Sequence, residues 1–154
     1  MSANGLEVFD KTLHITNTWL GEIMNETGKD RHVAWHALGT VLRAVRDRVT
    51  LGLAAHLGAQ LPMLIRGVYY DQWDPAQEPT KWRSREEFLA LVNAGFRGME
   101  PVDPAPMAKA VFRALNHYLD PGQIENVRNA MPEDVRAIWP ESGPASGHKL
   151  DSAA

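Results

Sequence analysis

The sequence predicts an all-α fold, a compact helical bundle of two tandem, pseudo-symmetric multi-helix repeats with short proline-initiated helices. Three observations carry this. Apolar residues recur at helical spacing through most of the chain, and no alternating strand pattern occurs. Sliding the chain by 70 positions lays Val41–Tyr69 over Val111–Trp139 without a gap, with identities at Val41/Val111, Arg43/Arg113, Ala44/Ala114, Gly52/Gly122, Pro62/Pro132 and Arg66/Arg136. Apolar positions also match in kind, among them Leu57/Val127, Leu61/Met131, Ile65/Val135 and Tyr69/Trp139.

Taken in order, Leu6, Phe9, Leu13, Leu20 and Met24 fall within roughly 40° of one line and predict a first helix buried on that side. Asp30 is the expected N-cap of a second helix, whose apolar face is Trp35, Leu38, Val41, Leu42, Val45 and Val49. Thr50 caps a third, short helix running to about Leu61. Pro62 then reads as a helix start, because its counterpart Pro132 precedes Glu133 and Asp134, acids suited to the positive end of a helix dipole. Leu61 and Met131, each before a proline, are the predicted break points. Two short helices meeting at an angle are expected there rather than one kinked rod.

"DQWDPAQEPTKWRS" reads as a connector into Ser84, which with Glu87 fits a capping box for "REEFLALVNAGF". Asp120 followed by Pro121 marks another helix start. The expected organisation is one domain over 1–140, with repeat one at about 6–73, the connector at about 74–83 and repeat two at about 84–140. The Gly/Pro/Ser-rich segment 141–154 is expected to be a disordered tail.

Composition excludes several classes of function. The 154 residues suit one domain with a real core. Formal charge is −3, from 16 Lys+Arg against 19 Asp+Glu, so no net basic field exists to hold nucleic acid. Arg43, Arg46, Arg48, Lys81, Arg83 and Arg85 are interspersed with acids, which weakens a nucleic-acid reading further. With no cysteine, disulfides, thiolate nucleophiles and cysteine metal sites are ruled out. The uncharged run Val49–Ile65 holds Thr50, His56, Gln60 and Pro62, and lacks the roughly 18 consecutive apolar residues of a membrane span. The N-terminus has no basic start or apolar run of a signal peptide, so a cytoplasmic protein is expected.

The stretches "HLGAQLPMLIRGVYYDQW", "PTKWRSREEFLALV", "AVFRALNHYL" and "VRNAMPEDVRAIWP" resemble the bacterial domain of unknown function family 2267, over about Leu6 to Pro140. The resemblance implies a small, all-helical, duplicated bacterial protein. It implies no activity, and no catalytic residue carries over.

Of the chemistry-bearing residues, His32 and His36 stand four apart, a spacing that can serve a metal, but on the face opposite Leu38, beside Arg43 and without a third ligand. A haem would need a histidine facing the interior, and only His14 and His56 have apolar flanks. No GxSxG, P-loop or GxGxxG occurs, so no enzyme, metal or cofactor is expected. Tyr70 points about 140° from Ile65, off the core line, while Trp73 and Trp82 stand in or beside the connector near Lys81, Arg83 and Arg85. Tyr, Trp and Arg are the residue types that anchor interfaces. They serve equally to pin a connector onto a core. Arg66 and Arg136 either bond to carbonyls at a helix end, pair with an acid in each repeat, or bind an anion on a pseudo-symmetric surface.

The reading that follows is a non-enzymatic module that binds another protein or itself, the latter as a homodimer, through Tyr70, Trp73 and Trp82 with Arg66 and Arg85 as polar anchors. The alternative is a small apolar or anionic ligand held between the repeats.

Overall fold

The computed structural model describes residues 5–142. The expected disordered tail therefore lies, beyond residue 142, outside the described residues. Among the described residues there are eight helices and no strand: α1 (Glu7–Thr27), α2 (Arg31–Arg48), α3 (Leu51–Gln60), α4 (Met63–Tyr70), α5 (Arg85–Ala94), α6 (Pro104–Tyr118), α7 (Pro121–Asn129) and α8 (Glu133–Arg136).

Local chemistry sets the helix starts. The carboxylate of Asp30 accepts from Val33 N, the hydroxyl of Thr50 from Leu53 N, and the carboxylate of Asp120 from Gln123 N. Ser84 and Glu87 close a reciprocal capping box at α5. Asp103, followed by Pro104 in the first turn, caps α6. Leu61 is extended at φ −76° and ψ 144°, and Pro62 follows as the residue that opens α4, its carbonyl accepting from Arg66 N at 2.7 Å. Gly28 ends α1 in the left-handed region at φ 72°, where a side chain would be strained.

α2 lies at the centre, against α1, α3, α4, α5 and α6, and α6 packs in turn on α1, α5 and α7. This accounts for the burial of Ala34, Ala37, Leu38, Val41, Leu42 and Val45 around much of α2. The core is one continuous cluster from Trp19 to Trp139. A run of rings crosses it: Trp82 on Phe88 at 5.2 Å, Phe88 on Phe112 at 5.8 Å, and Phe112 on Trp139 at 4.1 Å.

The first half of α1 departs from its expected orientation, while further along the predicted line Leu20 is buried and Met24 packs on the core. α1 buries Thr12, Thr16, Trp19, Leu20 and Ile23. On the predicted line, Leu6, Phe9 and Leu13 are 53%, 47% and 42% exposed. The reason is the neighbour that covers the helix: α4 starts beside Thr12, whose Oγ1 accepts from Leu64 N at 3.4 Å. Thr16 hides its hydroxyl by donating to Thr12 O at 2.7 Å, so a threonine face can be buried without an unpaired group.

Candidate functional site

The end of α2, the end of α4 and the connector meet around Arg46. Its side chain is nearly fully buried, and Nη1 donates to Tyr69 O at 2.8 Å and Asp71 O at 2.9 Å. Nε and Nη2 donate to the carboxylate of Asp47 at 2.8 and 3.1 Å, so the buried charge is both paired and hydrogen-bonded. Thr80 N and Oγ1 both donate to Asp47 O, at 2.7 and 3.1 Å. Arg48 Nε donates to Trp82 O at 2.9 Å while its guanidinium carbon lies 5.6 Å from the Trp82 ring centre. Three successive residues of α2 thus hold the connector in place.

Between them lies a cleft of roughly 180 Å³, walled by Asp47, Ala54, Trp73, Asp74, Glu78 and Thr80 among others. Gln72 sits at φ 59°, a left-handed conformation costly for a residue with a Cβ, and it turns the chain so that Trp73 N donates back to Tyr70 O at 3.1 Å. The Tyr70 and Trp73 rings then lie 5.2 Å apart, both half-buried.

The five residues expected to form one surface are placed differently. Tyr70 and Trp73 come together, and Trp73 alone of the two walls the cleft. Trp82 turns inward, 5% exposed and packed on Phe88, so it pins the connector and does not belong to the surface. Arg66 spends its donors on the last turn of α3, with Nε on Gly58 O at 2.9 Å and Nη2 on Ala59 O at 3.1 Å and Leu61 O at 2.8 Å. Arg136 likewise donates to Asn129 O at 3.3 Å. These are orphan carbonyls at helix ends, so the helix-end role is the one that the geometry realises. Arg85 is exposed in the first turn of α5, where its backbone N donates to Asp134 of α8 at 3.2 Å.

His32 and His36 stack edge to face at 4.5 Å. Burial, with help from the neighbouring His32 and Arg43 charges, lowers the His36 pKa below its ordinary value. His14 and His56 are both exposed. Among the described residues no group of three or more His, Cys, Asp or Glu is arranged to hold a metal ion, and no helix is long and apolar enough to cross a membrane.

A family model described as "Uncharacterized conserved protein (DUF2267)" matches residues 16–138. The chain belongs to that family. No curated protein matches it. The DUF2267 match runs from the middle of α1 through α8, so the connector and its cleft lie inside the shared region, while the exposed start of α1 lies before it.

Sequence reasoning misses two surface features of this DUF2267 chain. One is the exposed Leu6, Phe9 and Leu13 of α1, with exposed Leu64 brought beside Thr12. Its signal is present as the apolar line, which periodicity alone assigns to the core. The other is the order of charge along the connector, acids at Asp71, Asp74 and Glu78 followed by bases at Lys81, Arg83 and Arg85.

Proposed function

We propose that this protein is a non-enzymatic, cytoplasmic helical module that works by docking onto another protein, and that it is built from two tandem related units. The observation that carries the docking reading is the exposed apolar strip Leu6, Phe9 and Leu13, continued by Leu64. A contiguous apolar strip on a charged surface is a common mark of an interface, whereas single exposed apolar residues need no explanation. Tyr70 and Trp73 add a second, aromatic patch of the residue types enriched at interfaces.

The two-unit reading is supported by correspondences at the 70-residue offset. The caps Thr50 and Asp120 match, as do the openers Pro62 and Pro132, and Arg66 and Arg136 each donate to the carbonyl seven residues back, on Ala59 and Asn129. Packing corresponds too: α1 on α6 pairs with α5 on α2, and α1 on α4 with α5 on α8.

The test replaces Phe9 and Leu13 together by serine. Since both are already near half exposed, thermal stability is expected to change little. Tagged wild-type and variant proteins are then compared for the proteins they capture from cells of the source organism. Loss of specific partners in the variant supports the reading. Identical captures by the two proteins would sink it.

A further inference from the structure

We propose that two copies of this chain pair about a two-fold axis at Pro79–Thr80, the basic half of one connector entering the acidic, tryptophan-walled cleft of the other. The connector residues are separate from the α1 strip, so either interface can fail alone.

The first ground is how the charge is divided in space. The cleft that Pro79 and Thr80 help to line carries Asp47, Asp74 and Glu78 against a single cation, Arg46, already taken up by Asp47 and two carbonyls. Adjoining it, a shallow groove that shares Glu78, Pro79 and Thr80 is lined by Arg48, Lys81 and Arg83. A half-turn about Pro79–Thr80 therefore lays an acidic surface on a basic one, and does so twice, as an isologous contact requires.

Second, Asp74, Glu78, Lys81 and Arg83 form no ion pair among the described residues, although Asp74 Oδ1 accepts from Ala76 N at 3.0 Å. Among the described residues, the ion pairs within 4.0 Å are Arg46–Asp47, Arg113–Glu26, His117–Glu22 and Arg128–Glu141. None involves Asp74, Glu78, Lys81 or Arg83, although these acids and bases lie within nine residues of one another.

The third ground is rigidity. Thr80 is tied to Asp47 O by two hydrogen bonds and Trp82 O to Arg48, while Pro75 and Pro79 stiffen the chain between. The pivot is fixed, so the two charged faces meet a partner without first being ordered. The half-buried Trp73 indole supplies the flat wall on which an entering guanidinium or ammonium stacks.

Charge reversal tests this with the full chain. Glu78→Lys sets an ammonium against Arg83 of the other copy, and Arg83→Glu sets a carboxylate against the other copy's Glu78, each collision occurring twice per dimer. Light scattering and sedimentation equilibrium should show a wild-type dimer at about 0.01 M salt that weakens at about 1 M, as the screening length falls from about 30 Å to about 3 Å. Each variant alone should weaken dimerisation at least about tenfold, since like charges face each other. An equimolar mixture of the two should dimerise again, because the charges brought together across the axis are then of opposite sign. Far-UV circular dichroism melts confirm that the exposed substitutions leave the fold intact. A wild-type monomer at low salt overturns the proposal, as does a dimer indifferent to both variants. Failure of the mixture to re-form dimers overturns the reciprocal contact.

Discussion

Arg46 and Asp47, adjacent on α2, hold each other in a two-point ion pair, Nε to Oδ1 at 2.8 Å and Nη2 to Oδ2 at 3.1 Å. Neighbours on a helix rarely face one another, and here the contact leaves Arg46 Nη1 free to bind the carbonyls of Tyr69 and Asp71. One buried guanidinium thereby ties α2 to the end of α4. Replacing Arg46 by alanine leaves two carbonyls without their donor and opens a void. Asp47 is left partly solvated, so the cost lies in the two unpaired carbonyls. The expected loss is about 2–4 kcal/mol of unfolding free energy, read by urea denaturation. Lysine keeps the charge but not the planar fork, so Arg46→Lys should recover only part of it. Wild-type stability in Arg46→Ala would contradict this account.

Gly58 and Tyr70 make a second pair. A Cβ on Gly58 would collide with Tyr70 Oη, and the ring cannot swing aside freely because it packs edge-on to Tyr69 and tilted against Trp73. Gly58→Ala is expected to cost about 1–3 kcal/mol as overpacking, despite alanine's better helix propensity. In the background of Tyr70→Ala the same substitution should be neutral or stabilising. Equal costs in both backgrounds, measured as a double-mutant cycle, would rule out the steric coupling.

Tyr118 packs on Trp19, its ring centre 5.0 Å away. Burial, followed by the charge of Glu22 and a hydrogen bond to it, pushes its pKa up to about 12 from an ordinary 10. The folded state therefore holds this proton more tightly than the unfolded chain. Its contribution is fully present below pH 10 and is lost as pH rises from about 10 through about 12. Burial raises the Tyr69 pKa in the same direction, and its hydroxyl donates to Ala54 O at 2.6 Å. Stability should fall steeply above about pH 10, and Tyr118→Phe should flatten part of that fall. A variant with an unchanged alkaline limb would show that Tyr118 plays no part in it.

What the sequence by itself determined are the features whose physics closes within a few residues. Asp30, Thr50, Ser84 and Asp120 cap helices because a short side chain reaches a backbone N–H three positions on. Pro62 and Pro132 open helices because the ring forbids continuation through the residue before it. The all-α class follows from periodicity, and the family assignment from the motifs.

Only the tertiary structure decided which faces are covered. α1 carries both a leucine–phenylalanine line and a threonine–tryptophan line. α4, placed by its packing on α2 and α3, covered part of the second. Trp82 reads as a surface aromatic in a charged connector until Phe88 and Arg48 close over it. Arg46 reads as one more solvated charge until Tyr69 and Asp71, more than twenty positions away, bring their carbonyls to it. Periodicity says which residues share a side of a helix. Which side meets a neighbour is set by contacts distant in sequence, where burial and pairing outweigh any local preference.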